Sequence, residues 1–197
     1  MSSTKLDTRS RILEAAWKLM EDRLGQNVRM SDIAAEAGIS RQALYLHFAN
    51  RADLLIATTR YIDDVKGIDA RLAASRTSAS GIERLDAFIE AWGSYIPEIY
   101  GVARALLAVK DTDADAAEAW SQRMQAVREG CQAAIAALDS DNALSPEWTG
   151  DRAVDLLWTM LSVRNWEQLT QDCGWTAEEF VDYSKRQAKR NFVVVHN

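Results

Sequence analysis

Only two prolines, Pro97 and Pro146, interrupt a chain of 197 residues. Proline is the residue that removes an intrahelical hydrogen bond and clashes with the preceding turn. Almost the whole length is therefore free to run as helix. Apolar residues recur at three- and four-residue spacing through most of it, the signature of one buried helical face. Period-two alternation, the mark of a strand, is confined to the short tail 192–195. The fold class expected is all-α. A hydrophobic fraction of 48% with 26% charged residues gives such helices enough apolar surface to bury a core.

Punctuation divides the chain into helices. Ile12, Leu13, Ala16, Trp17, Met20 and Leu24 form one stripe of a first helix over about 8–24, stopped by Gly25. Trp17 reads as core. A short helix over about 30–37 ends at Gly38, and Ser40 caps a third over about 41–47. Asn50, with Asp53 three residues on, opens a fourth that runs to about 74 with Gly67 as a weak point. Ser80 with Glu83 opens the next, Pro97 fits the first turn of another, and Thr112 with Asp115 opens a long helix to about 138. The last two are expected from Pro146 to about 172 and from Thr176, with Glu179, to about 193.

Charge is unevenly placed. The chain carries −6 overall, yet residues 1–61 sum to +2 and the remainder to −8. Between 37 and 52 there is no acidic residue, while Arg41, His47 and Arg51 are present. A local basic face on an acidic protein attracts phosphates at one place without coating nucleic acid everywhere. No apolar run approaches the roughly 20 residues of a membrane helix. The polar N-terminus offers no signal-peptide core. Cys131 and Cys173 form no paired motif, so a reduced, cytoplasmic protein without membrane association is expected. The two histidines, His47 and His196, lie far apart, and no metal cluster, nucleophile elbow or phosphate loop occurs. An enzyme is not expected, nor is a cofactor.

The stretch from Val28 to Phe48 is the most informative. Two short helices joined by a tight turn need a small residue at the corner and apolar residues to hold the crossing. Gly38 supplies the first, and Ile33, Ala34, Ala37, Ile39, Leu44 and Phe48 the second. Arg41, Gln42, Ala43, Tyr45 and His47 are left uncommitted. They are groups able to meet base edges and phosphates, and helix-turn-helix geometry sends the start of the second helix into the major groove. Asp32-Ile33-Ala34, Ala37-Gly38-Ile39-Ser40, Leu44-Tyr45 and His47-Phe48 together resemble the TetR family signature. The likeness runs over about residues 9–60, including Arg51 and Leu54-Leu55 downstream.

The resemblance implies a nine- or ten-helix homodimer. Its N-terminal three-helix, helix-turn-helix DNA-binding domain would occupy residues 1–60, and a C-terminal helical ligand-binding and dimerisation domain residues 61–197. It implies a ligand-responsive regulator, by family default a repressor, that binds a pseudo-palindromic operator duplex and is released by a small-molecule inducer. Carried onto this chain, Tyr45, His47 and Arg51 are expected at phosphate, and Gln42 at a base edge through its amide. Arg41 is expected at guanine or phosphate and Ala43 at a thymine methyl. Ser40 acts as a cap, and Ser40, Ser31 and Arg29 complete the nine residues expected at the DNA interface. Where relatives often carry Thr or Ser to cap the second helix, Arg29 stands instead. The cap then falls to Ser31 or elsewhere, with Arg29 a further phosphate candidate.

The C-terminal part is rich in aromatics. Trp92, Tyr95, Trp120, Met124 and Trp158 are candidates to line a ligand pocket, with Arg104 and Asn165 orienting a polar group. Aromatics at helical spacing more often fill a core, and no motif names the ligand. Apolar stripes in the last two helices suit a four-helix dimer bundle. The rival reading, a helical ligand carrier without DNA binding, sits poorly with the intact run from Ser40 to Arg51.

Overall fold

In the computed structural model, which describes residues 7–194, α1 spans Thr8–Asp22. Its buried face is Ile12, Leu13, Ala15, Ala16, Leu19 and Met20, the three- and four-residue stripe expected. Trp17 lies at the edge of that stripe and is half-buried rather than core. The helix is closed by Leu24, which itself takes a left-handed conformation (φ 50°), before Gly25 (φ 74°). The Leu24 and Gly25 N–H groups donate back to Glu21 and Met20, satisfying carbonyls that the helix end would otherwise leave unpaired.

Three more helices follow: α2 (Met30–Glu36), α3 (Arg41–Tyr45) and α4 (Arg51–Lys66). Two further short ones, α5 (Ile68–Arg71) and α6 (Ala73–Arg76), occupy the stretch expected to continue α4. Gly67 at φ +68° separates α4 from α5. The remaining helices are α7 (Gly81–Gly93), α8 (Ile96–Val109), α9 (Ala114–Ser140), α10 (Gly150–Met160), α11 (Val163–Glu167) and α12 (Ala177–Phe192). Among the described residues the count exceeds the nine or ten expected: α5 and α6 start without a side-chain cap, whereas α11 starts at a fresh one. At Ser162 the hydroxyl accepts the Asn165 N–H, so the helix expected from Pro146 to 172 is divided into α10, α11 and a π-helical turn, Gln168–Asp172. Pro146 itself lies four residues before α10. The expected caps Ser80 and Thr176 are in place, Thr176 and Glu179 forming a reciprocal capping box. For α9 the cap is Asp113, whose Oδ1 accepts the Ala116 N–H, rather than Thr112.

Among the described residues there is no strand, and the tail makes only an isolated antiparallel bridge between Val193 and Leu144. Val195 and His196 lie outside the described residues. No helix there is long and apolar enough to cross a membrane. The contacts resolve into two units on lines other than an expected division at 60/61. The first comprises the described residues up to Lys66 together with Ile99–Met124. The second comprises Gly67–Glu98 and the described residues from Gln125 onward.

In the first unit, α1, α2, α3 and the start of α4 share one core of Ile12, Ala16, Leu19, Val28, Ile33, Ala34, Leu44, Phe48 and Leu54. In the second, α7 packs on α12, where Gly93 lets Val181 and Phe180 approach the helix backbone. Gly81 allows the start of α7 to lie against the backbone of Ala137. Lys185 and Lys189 of α12 pair with Glu90 and Asp86 of α7.

Candidate DNA-reading surface

The turn between α2 and α3 is built by Gly38. At φ +68° it takes the left-handed conformation that a side chain resists. Its N–H donates to the Ala35 carbonyl at 3.1 Å and the next N–H, of Ile39, to Ala34 at 3.0 Å. This double bond pattern ends α2 and turns the chain sharply. Ser40 then restarts it, its hydroxyl accepting the Ala43 N–H at 3.1 Å. Leu44, with no exposed surface, and Phe48 anchor α3 to the core. One side of α3 is thereby fixed, and the opposite side is presented outward.

That outward side carries Arg41, Gln42, Tyr45, Leu46 and His47, all exposed, with Ala43 partly so. The Arg41 guanidinium lies over the Tyr45 ring at 5.6 Å and donates to its hydroxyl at 3.4 Å, an arrangement that orders both without burying either. Leu46 is 84% exposed, the most open large apolar side chain described. Arg9, which sequence reasoning passed over, packs its guanidinium over the Phe48 ring at 4.4 Å and donates to the His47 carbonyl at 3.2 Å. It fastens the far end of α3 to α1. Its place in α1 was readable, but nothing in the sequence pairs it with residues 38 positions away.

Arg29 and Ser31 are both exposed at the start of α2. The cap of α2 is supplied by neither. Asp32 accepts the Arg29 N–H at 3.4 Å and is held by the Arg23 guanidinium at 2.9 Å. The Asp32 carboxyl sits below the usual carboxylate range, chiefly because of that backbone N–H and then the Arg23 hydrogen bond. With the cap supplied elsewhere, Arg29 and Ser31 stay open to solvent.

These residues meet around an open groove of roughly 540 Å³ lined by Arg29, Ser31, Arg41 and Tyr45, with Arg51 and Asp113 in its wall. Five of the nine residues expected at DNA are therefore gathered in one place. Arg51 alone of the five is not exposed. Its side chain is only 18% exposed, and its guanidinium is engaged inside the unit by Asp113, Asp115 and the Val28 carbonyl.

The expected ligand contacts are divided between the two units: Arg104, Trp120 and Met124 in the first, Trp92, Tyr95, Trp158 and Asn165 in the second. Trp92 and Tyr95 are core residues. Tyr95 has no exposed surface, and Trp92, 4% exposed, is fixed by its indole N–H. Trp120, Met124, Trp158 and Asn165 are half-buried. Arg128 lies over the Trp158 ring, Asn165 donates to the Thr159 carbonyl, and Arg104 is exposed over the Tyr100 ring.

Residues 12–58 match the family model described as bacterial regulatory proteins, tetR family. This segment is a TetR-family N-terminal domain. The chain is 33% identical to the nucleoid occlusion factor SlmA of Shewanella denitrificans in an alignment of 63 residues that covers 32% of each chain. To the HTH-type transcriptional activator FasR of Mycolicibacterium smegmatis it is 34% identical over 92 residues, 46% of this chain and 41% of that one. The chain thus spans about a third to a half of the length of the curated relatives it matches. The similarity in fold is broader. The transcriptional regulator FadR of Bacillus subtilis, solved with stearoyl-CoA, superposes with a TM-score of 0.73 at 14% identity, covering 95% of this chain and 99% of that one. NalD of Pseudomonas aeruginosa, the secondary repressor of a multidrug efflux pump, gives 0.69 at 22% identity over 94% and 96%. FasR, FadR and NalD carry the names of a transcriptional activator, a transcriptional regulator and a repressor.

Proposed function

We propose that the chain is a ligand-responsive transcriptional regulator that binds a pseudo-palindromic operator as a homodimer and represses until a small-molecule inducer releases it. The observation that carries this reading is the outward face of α3. Arginine, amide, phenol and imidazole groups sit exposed on a helix whose other face is locked by Leu44, Phe48, Ser40 and Gly38. A rigid helix with uncommitted polar groups is what readout of a major groove requires. Gln42 is assigned to a base edge, since its amide offers donor and acceptor together. Tyr45, His47, Arg29 and Ser31 are assigned to phosphate, Arg41 to guanine or phosphate, and Ala43 to a thymine methyl. Dimerisation places two such helices in successive grooves.

The inducer site is assigned to the helices after α4, and in the second unit the half-buried Trp158 and Asn165 are its candidates. The choice of repression over activation is the family default, and the relatives include proteins of both names.

Footprinting with the upstream intergenic DNA tests the central claim. Protection of an inverted repeat is expected, and retention of random sequence alone overturns it. A thermal-shift screen of small lipophilic compounds and acyl-CoAs then finds a ligand, which stabilises the state it binds. Operator DNA must weaken that ligand by the same factor by which the ligand weakens operator. Equal ligand affinity with and without DNA removes the inducer reading.

A further inference from the structure

Arg51 is the first residue of α4, and its side chain turns inward. Its Nε donates to the Val28 carbonyl at 2.7 Å. Its Nη1 donates to both carboxylate oxygens of Asp113 at 2.8 Å and to Asp115 Oδ2 at 3.3 Å. Val28 is buried two residues before α2 begins. Asp113 is also the N-cap of α9. One guanidinium therefore ties together the entry to α2, the start of α4 and the cap of α9. The planar fork of arginine suits this task, because its separate N–H groups point in fixed, different directions, which an ammonium does not offer.

We propose that Arg51 is a positioning residue for the DNA-reading helices rather than a phosphate contact, and that Asp113, outside the helix-turn-helix motif, is the residue through which it acts. The inference rests on the DNA-binding reading above. By holding Val28, Arg51 fixes where α2 leaves the loop, and α2 carries the turn that aims α3. Its Nε and Nη1 are already committed to a carbonyl and two carboxylates, and the negative charge of those carboxylates opposes a phosphate beside the remaining Nη2.

The two roles of Arg51 give opposite signs for one substitution. Asp113 shares the groove wall with Arg29, Arg41 and Tyr45. A carboxylate there repels the DNA backbone. If Arg51 met phosphate, removing Asp113 would both free the guanidinium and abolish the repulsion, and binding would tighten. If Arg51 positions α2, removing Asp113 loosens the reading head and binding weakens although a negative charge has gone.

The test uses the full chain, titrated on its footprinted operator and on a scrambled duplex at several salt concentrations. Asp113→Asn and Arg51→Ala are each expected to lower operator affinity by about tenfold, and the double variant to be no weaker than the worse single one, because both remove the same tie. The salt slope of Arg51→Ala is expected to match that of the parent chain. Loss of a phosphate contact would instead lower it by about 0.9 per subunit. Arg51→Lys is not expected to restore affinity. Circular dichroism identifies any variant that has unfolded; Asp113→Glu, which keeps the charge but shifts the carboxylate, then replaces Asp113→Asn and is expected to weaken operator binding with an unchanged slope. Tighter binding of Asp113→Asn to both duplexes, or a reduced salt slope for Arg51→Ala, overturns the proposal. If the parent chain binds no duplex at all, the DNA-binding reading falls first and takes this inference with it, an outcome distinct from either of those.

Discussion

The indole N–H of Trp92, on α7, donates to the carbonyl of Leu161, the residue that closes α10, at 2.8 Å across 69 positions of sequence. With Trp92 only 4% exposed and Leu161 fully buried, this bond satisfies a helix-end carbonyl that water does not reach. Trp92→Phe keeps an aromatic ring but removes the donor. It is expected to destabilise the fold by about 1–3 kcal/mol, the cost of an orphaned buried carbonyl together with some lost packing. Urea titration checks it; a loss under about 0.5 kcal/mol would show that Trp92 is not a structural pillar of the second unit.

Gly25 and Gly38 share nearly the same backbone angle, φ +74° and +68°, but not the same surroundings. A Cβ on Gly25 would sit 2.3 Å from the Ala105 carbonyl oxygen, whereas one on Gly38 meets nothing within 4 Å. Gly38→Ala is therefore expected to cost about 1–2 kcal/mol, the left-handed penalty alone. Gly25→Ala adds a backbone clash and is expected to cost roughly 1–3 kcal/mol more. Thermal unfolding of the two variants should rank them in that order; equal losses would contradict the close approach at Ala105.

Gln42 and Tyr45 should fail differently. Gln42→Ala is expected to cost about 1–3 kcal/mol on the operator and much less on scrambled DNA, relaxing one half-site position. Tyr45→Phe removes a neutral hydroxyl and should weaken both duplexes alike while leaving the salt slope unchanged. If Gln42→Ala lowers both affinities equally, Gln42 positions rather than reads. The exposed side chains of Arg41, Ala43 and Leu46 are then the next candidates for base contact.

The two thiols should separate cleanly. Cys131 is fully buried and burial pushes its pKa up to about 12, whereas Cys173 is exposed just after the π-helical turn. The thiolate is the reactive form. Mass spectrometry after brief treatment with an alkylating reagent at neutral pH should show one modification per folded chain, at Cys173, and two after unfolding in urea. Rapid native labelling of Cys131 would contradict the packing around α9.

Asp113 should contribute a pH-dependent share of stability. Burial pushes its carboxyl up, but the Arg51 hydrogen bond, the Ala116 N–H and the Arg51 charge together outweigh this and hold it below 3.8. A carboxyl whose pKa is lower in the folded state stabilises the fold fully above its unfolded value, and that contribution fades as pH falls through the folded value. The stability gap between the parent chain and Asp113→Asn is therefore expected to be constant near neutrality and to narrow below about pH 4. A gap that widens on acidification would reverse the sign assigned here.

What the sequence by itself determined is local. The stripe of α1, the glycine turn at Gly38, the caps at Ser40, Asn50, Ser80 and Thr176, and the exposed set on α3 are all decided by residues within a few positions of one another. Helical periodicity and capping are short-range effects, so a single sequence carries them. The tertiary structure alone decided which distant groups meet. Arg51 looks like one more cation in an acid-free stretch until Asp113 and Asp115, more than 60 positions away, close on it. Trp92 looks like a pocket aromatic until Leu161 takes its N–H. The breaks at Gly67 and Ser162 lie in between: the residues that permit them are visible in sequence, but whether a helix ends there depends on the packing on either side. A long-range ion pair or a buried indole leaves no periodic trace, because its energy depends on desolvation and geometry that exist only once the chain has closed on itself.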